Sequence, residues 1–158
     1  MLDTGHFVRR AHDLYGYDNF VCDTSGSVCE VVDVDGADDA VMSALSNVLL
    51  PVWIEGSEAH TQTLIARFSR APKPMCYQPE FLLAAWSDYL ALRGVDETRV
   101  DPDDFVRWTY ARALRHRQPR YRAMADRWGV TVSADDIARV RREDDLVDLI
   151  AAAIDAKG

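Results

Sequence analysis

Long apolar runs are missing from this 158-residue sequence. No uninterrupted run approaches the roughly 18 residues that a membrane-spanning helix needs, so the sequence predicts no membrane span and no membrane partner. The first ten residues, MLDTGHFVRR, also lack the apolar core of a secretory signal. The default expectation is therefore a cytoplasmic protein.

Cysteine is scarce. The three cysteines, Cys22, Cys29 and Cys76, are odd in number and none lies in a CxxC spacing. This pattern predicts neither a disulfide framework nor a zinc site. Buried thiols are the simplest interpretation, because a free cysteine behaves as a small hydrophobic residue.

Basic residues are in the minority, 18 against 26 acidic residues, and the net charge of -8 argues against general binding to nucleic acid. The charge is uneven. Acidic residues gather in 30–39 and 96–104, whereas arginines crowd 107–127, where Asp126 is the only acidic residue. Two interpretations stay open: a helical surface balanced by acidic neighbours, or a site for an anion such as phosphate.

Composition and apolar spacing predict an α/β fold. With 48% hydrophobic and 28% charged residues, the chain can bury one core or two small ones. Strands are predicted near 19–23 and 51–55 with a helix between them, which is a βαβ unit with parallel strands. The rest is predicted to be helical, with Pro119 as an interruption, and a soft boundary near Pro79 separates 1–79 from 80–158.

Asp23 closes the predicted strand 19–23, in the stretch FVCDTSGS. A carboxylate at the end of a buried strand is suited to Mg²⁺ and water. The small residues Ser25, Gly26 and Ser27 let the backbone approach a ligand and offer hydroxyl and N–H groups to an anion. A plain turn is the competing interpretation.

Arg67 and Arg70 lie at the end of a predicted helix that follows the second strand, in VWIEGSEAHTQTLIARFSRAPKP. Lys73 follows in a loop broken by prolines. Phosphoryl transfer depends mostly on positioning and on neutralisation of charge, which arginines from a lid above the phosphates would supply.

The segment 19–74 resembles the second half of shikimate-kinase-like or gluconate-kinase-like P-loop phosphotransferases. FVCDTSGSVCEVVD, VWIEG, RAPKPMCYQPEF and HRQPRY further resemble the C-terminal part of bacterial proteins described as ATPases. The resemblance implies an incomplete P-loop NTPase-like fold, with ATP and Mg²⁺ as cofactors and a nucleotide or small phosphorylated ligand as partner. It implies Asp23 near Mg²⁺, the loop 25–27 facing the acceptor, and phosphate contacts from Arg67, Arg70, Lys73, Arg117 and Arg120.

One departure from that family is large: the sequence contains no GxxxxGK[ST] motif. The backbone cradle and lysine of that motif supply much of the binding site for a triphosphate. The expectation is therefore the C-terminal portion of a P-loop ATPase or small-molecule phosphotransferase, which binds nucleotide poorly and is inactive without the missing loop.

The sequence also allows two other functions. The helical region 80–156 could be a non-catalytic module that binds a partner protein. The stretch MADRWGVTVSADDIARV could form a helix-turn-helix of a DNA-binding regulator. Its second helix begins with Ala134, Asp135 and Asp136, which DNA phosphates would repel, so a nucleic-acid partner is not expected.

Overall fold

The computed structural model describes residues 1–36 and 38–158 and is mostly helical, at 64%, with one two-stranded sheet. The α/β class with a helical region therefore holds in its coarse form. No described helix combines the length and apolar character that crossing a membrane requires. The helices are α1 (Thr4–Tyr15), α2 (Ala40–Ser46), α3 (Glu58–Arg70), α4 (Pro79–Arg93), α5 (Pro102–Trp128), α6 (Ala134–Ile137) and α7 (Glu143–Lys157), with 3₁₀ helices at Gly26–Glu30 and Glu97–Arg99.

The chain forms two compact units. The first unit consists of residues 1–55 and 120–158, and the second unit of residues 56–119. The predicted boundary near Pro79 falls inside the second unit. Sequence composition gives no sign of this arrangement, because the second unit is inserted between two segments of the first.

The sheet joins β1 (Val52–Glu55) to β2 (Val130–Ser133) in parallel, with Val52 opposite Val130 and Glu55 opposite Ser133. The strand predicted near 51–55 is confirmed, but its parallel partner is β2 and not the segment 19–23, so the predicted βαβ unit is wrong. The strand predicted at 19–23 is wrong, since this segment is irregular and Val21 is 86% exposed. A short apolar run needs a neighbouring strand to satisfy its backbone, and β1 pairs instead with β2.

The core of the first unit is built from apolar side chains of the 3₁₀ helix, α2 and the last turns of α5. The buried cluster comprises Val28, Cys29, Val32, Met42, Leu45 and Met124. Asp39 caps α2 by accepting a hydrogen bond from the Met42 N–H at 2.8 Å. Cys29 is buried as expected, but Cys22 and Cys76 are exposed.

In the second unit, α4 packs against α5 through aromatic side chains. Phe105 makes edge-to-face contacts with Trp86 and Tyr89, and Tyr89 makes another with Trp108. Helix α5 continues through Pro119, so the predicted interruption is wrong. Proline lacks an N–H and clashes with the carbonyl four residues earlier, a local cost that the long flanking helix outweighs.

Candidate functional site

The loop 23–27 forms a tight turn in the first unit. Asp23 Oδ1 accepts a hydrogen bond from the Ser25 N–H at 2.8 Å, and the hydroxyl oxygens of Ser25 and Ser27 lie 2.7 Å apart. Ser25 has a φ of 58° and a ψ of 162°, a combination that is used almost only by glycine and costs a residue with a side chain about 1–3 kcal/mol. Strained backbone of this kind clusters at functional sites, although here the local hydrogen bonds also account for it.

Two residues of α5 hold this loop and the 3₁₀ helix that follows it. Tyr121 donates its hydroxyl hydrogen to the Gly26 carbonyl at 2.7 Å. Arg120 donates from Nε to the Cys29 carbonyl at 3.0 Å and from Nη2 to the Val32 carbonyl at 2.9 Å. These two bonds engage the Arg120 guanidinium and give it a structural role at the end of the 3₁₀ helix Gly26–Glu30.

Asp23 was predicted to lie near Mg²⁺. Its side chain is exposed, and it follows irregular chain instead of a buried strand. No group of three or more His, Cys, Asp or Glu side chains that could hold a metal ion is found in residues 1–36 and 38–158. Asp23 can supply one carboxylate ligand, so Mg²⁺ would have to be held mainly by nucleotide phosphates and water. This role remains a prediction.

The second unit contains the predicted cations Arg67, Arg70 and Lys73. The two arginines occupy the last turn of α3, and Lys73 lies in the loop that follows. All three side chains are exposed, and none forms an ion pair within the part of the chain that the structure describes. Arginines in the last turn of a helix are stabilised by its dipole, which explains their position but leaves their charge available to an anion.

Helix α5 fixes the segment that carries these cations at three points. The rings of Phe68 and Tyr110 stack with centroids 3.8 Å apart and planes 6° apart. Arg107 donates from Nε to the Ser69 carbonyl at 3.0 Å, and Arg117 donates from Nη2 to the Cys76 carbonyl at 2.6 Å. The backbone of the segment is therefore held in place on either side of Arg70 and Lys73.

Arg117 is a buried member of the predicted phosphate contacts. Its side chain is 3% exposed, and its guanidinium carbon lies 5.9 Å from the centroid of the Tyr77 ring. The bond to the Cys76 carbonyl offsets part of the cost of removing the charge from water. Arg117 therefore anchors the loop and adds positive charge beside it.

Tyr110 was missed by the sequence analysis. Burial raises the pKa of its phenol above the usual value, while the positive charges of Arg117 and Arg67 act in the opposite direction. Both guanidinium groups therefore act on the Tyr110 hydroxyl. Helical spacing could have found it, because Arg107, Tyr110 and Arg117 fall on one side of α5 at 3.6 residues per turn.

The predicted site residues fall into two groups. Arg67, Arg70, Lys73 and Arg117 belong to the second unit. The first unit contains Asp23, Ser25, Gly26, Ser27 and Arg120. The segment that carries Arg67, Arg70 and Lys73 is stabilised by contacts within the second unit. These cations can therefore form an anion site within that unit alone.

No protein-family description, curated protein or solved structure matches this chain.

Proposed function

We propose that this chain is the substrate-side portion of a P-loop ATPase or small-molecule phosphotransferase, in which Arg67, Arg70 and Lys73 bind phosphate groups. One observation carries the proposal. Three exposed cations within seven residues have no acidic partner among the described residues, although the chain has a net charge of -8.

Three other arginines of the second unit provide a contrast, whereas Arg99 and Arg115 are exposed and have no ion pair among the described residues. Arg93 pairs with Asp104 at 2.8 Å, Arg107 with Asp103 at 3.5 Å and Arg112 with Asp88 at 3.7 Å. Carboxylates are abundant enough to neutralise arginines elsewhere in this unit. A cationic segment that remains unpaired beside them, with its backbone fixed by α5, is suited to an external anion.

The first unit supports the proposal that this chain is a portion of a larger phosphotransferase. Most exposed large hydrophobic side chains of the described residues lie within 1–54, including Phe7, Leu14, Tyr15, Tyr17, Phe20, Val21, Val52 and Ile54. A phosphate-binding half would both cover such a surface and provide the absent GxxxxGK[ST] motif. In that larger protein, Asp23 would approach Mg²⁺ and the loop 25–27 would face the acceptor.

The alternative, a protein-binding module over 80–156, has weaker support. Its exposed large hydrophobic residues are Leu83 and Leu92 in α4 and Val147 and Ile154 in α7. Leu83 and Leu92 are nine positions apart and lie on opposite sides of α4. The apolar stripe is therefore limited to Val147 and Ile154, which are seven apart on one side of α7. For the DNA-binding alternative, residues 130–133 form β2 where a helix-turn-helix would need its turn.

Calorimetric titration with pyrophosphate tests the proposal on the chain itself. We expect weak binding, with a Kd of about 1 mM, because the phosphate loop is absent. Replacing Arg67, Arg70 and Lys73 together by Gln should weaken binding at least about tenfold, since it removes the charges that the anion contacts.

The matched control replaces three other exposed cations, Arg9, Arg10 and Arg99, by Gln. It removes the same total charge and should change the Kd by no more than about twofold. Equal weakening by both triple variants would mean diffuse electrostatic attraction and would contradict a site at 67–73. An absence of binding by the unaltered chain would contradict the proposal as a whole.

A further inference from the structure

Tyr110 is held rigidly beside the cationic segment. Its ring stacks on Phe68, which lies directly after Arg67, with the centroids 3.8 Å apart. Tyr110 is half-buried, and its hydroxyl forms no hydrogen bond with any residue in 1–36 or 38–158. A tyrosine hydroxyl in partly buried surroundings usually has a hydrogen-bond partner, so the acceptor for this one is either water or a ligand.

Elsewhere in the same unit, a tyrosine and an arginine both contact the carboxylate of Asp104. Tyr89 donates its hydroxyl hydrogen to Asp104 Oδ2 at 2.7 Å, and Arg93 Nη2 lies 2.8 Å from the same oxygen. One carboxylate oxygen thus accepts from a tyrosine and an arginine together. Tyr110 and Arg67 offer the same pair of donors, but no carboxylate of the described residues accepts from either of them.

We propose that the Tyr110 hydroxyl and the Arg67 guanidinium form one subsite for a phosphoryl group, with Tyr110 donating a hydrogen bond to a phosphate oxygen. The inference rests on the proposed function and names a contact of the same site. Arg117 adds positive charge beside this subsite while its bond to the Cys76 carbonyl keeps it in place. At neutral pH the Tyr110 phenol is protonated, as an ordinary tyrosine is, so it is able to donate.

The test compares Tyr110→Phe with the unaltered chain in the titration with pyrophosphate. This substitution keeps the ring that stacks on Phe68 and removes only the hydroxyl. We expect binding about tenfold weaker, as is typical for the loss of a hydrogen bond to a charged group. Tyr17→Phe is the control. Tyr17 is exposed and belongs to the first unit, so this substitution should leave the Kd unchanged.

A double-mutant cycle with Arg67→Gln separates a ligand contact from a structural effect. If both side chains contact one phosphoryl group, the effects of the two substitutions on the Kd are not independent. The Kd of the double variant should then rise by much less than the product of the two factors measured for the single variants. A second readout compares the ultraviolet titration of the tyrosines in the unaltered chain, which has six, with that in Tyr110→Phe. Phosphate binding should raise the pKa of the phenol that the variant lacks, because a bound anion opposes ionisation.

The outcomes distinguish this inference from the proposed function. Unchanged affinity of Tyr110→Phe, together with weakening by Arg67→Gln, would overturn the tyrosine subsite and leave the phosphate site at 67–73 intact. Independent effects of the two substitutions would also overturn the shared subsite. No binding by the unaltered chain up to about 10 mM pyrophosphate would overturn both proposals.

Discussion

Two tyrosines of the second unit, Tyr89 and Tyr110, differ in the surroundings of their hydroxyl groups. The Tyr89 side chain is 2% exposed and its hydroxyl bonds to Asp104 inside the unit, whereas the Tyr110 hydroxyl has no acceptor among the described residues. A buried tyrosine with a satisfied hydroxyl stabilises the fold. A half-buried tyrosine with an available hydroxyl can serve a ligand.

The Tyr89 environment predicts a pH dependence of stability. Burial raises the pKa of the Tyr89 phenol, and the hydrogen bond to Asp104 and the negative charge of that residue raise it further, while Arg93 opposes the shift. Below pH about 10 the phenol is protonated in both folded and unfolded chains, so its contribution is fully present. Above that pH the unfolded chain loses the proton first, and the free energy of unfolding falls as the pH rises towards the folded pKa.

Urea unfolding at a series of pH values checks this prediction. The unaltered chain should lose stability above pH about 10 more steeply than Tyr89→Phe, which has no phenol to titrate at this position. Tyr17→Phe should keep the steep dependence, since Tyr17 is exposed. Equal slopes for the unaltered chain and Tyr89→Phe would show that Tyr89 does not contribute the effect.

Pairing of β1 with β2 depends on a close approach at Gly129. A Cβ at this position would lie 1.9 Å from the Pro51 carbonyl oxygen, where the first hydrogen bond from the Val130 N–H forms at 3.0 Å. Gly129→Ala therefore forces the backbone apart at the start of the sheet. We expect it to lower the free energy of unfolding by at least about 2 kcal/mol.

The control is Gly16→Ala at the end of α1, where φ is 64° and nothing lies within 4 Å of the added methyl group. It should cost only about 1 kcal/mol, the strain of a left-handed conformation. Chemical denaturation of both variants measures the difference. If the two substitutions lower the free energy of unfolding equally, the close approach of Gly129 to Pro51 is not required for the pairing of β1 with β2.

Elements with explicit end signals were predictable from the sequence. Ser57 begins α3 by accepting from the His60 N–H, and His60 accepts in turn from the Ser57 N–H at 3.1 Å. Helix α4 ends at Gly94 in a left-handed conformation, and a glycine directly after an apolar helical pattern is a signal of that kind. Such caps are local, so single residues reveal them.

Elements that depend on distant partners were not predictable. Residues 130–133 form a strand only because β1, far away in sequence, pairs with them. The apolar run at 19–23 has equal local reason to form a strand but has no strand partner in the structure. Strand preference reflects packing against neighbours more than the backbone itself, so pairing decides the outcome.

The candidate site was predictable in part for the same reason. The charge of Arg67, Arg70 and Lys73 and their position after a helix are visible in the sequence. The stacking of Tyr110 on Phe68 and the bond from Arg117 to the Cys76 carbonyl arise from contacts between α5 and a distant segment. Arg120 was predicted as a phosphate contact from its charge, but its guanidinium donates to the Cys29 and Val32 carbonyls inside the first unit. The sequence does not reveal these bonds either, because they join residues far apart along the chain.

At the scale of the whole molecule, an acidic chain keeps a small cationic segment unpaired. The excess of 26 acidic over 18 basic residues repels anions in general, so only a site with converging donors can bind one. The cations at 67–73, with Arg117 and Tyr110, provide such donors within the second unit. The exposed apolar side chains within 1–54 form the surface that the proposed phosphate-binding half would cover.

The most direct measurement is a titration of the ¹⁵N-labelled chain with pyrophosphate, followed through the backbone amide resonances. We predict that the shift changes concentrate at residues 67–78, with smaller changes around Tyr110 and Arg117, and that they saturate with one common Kd. Changes spread evenly over the exposed arginines, or an absence of changes in 67–78, would contradict the assignment of this segment as a phosphate-binding site.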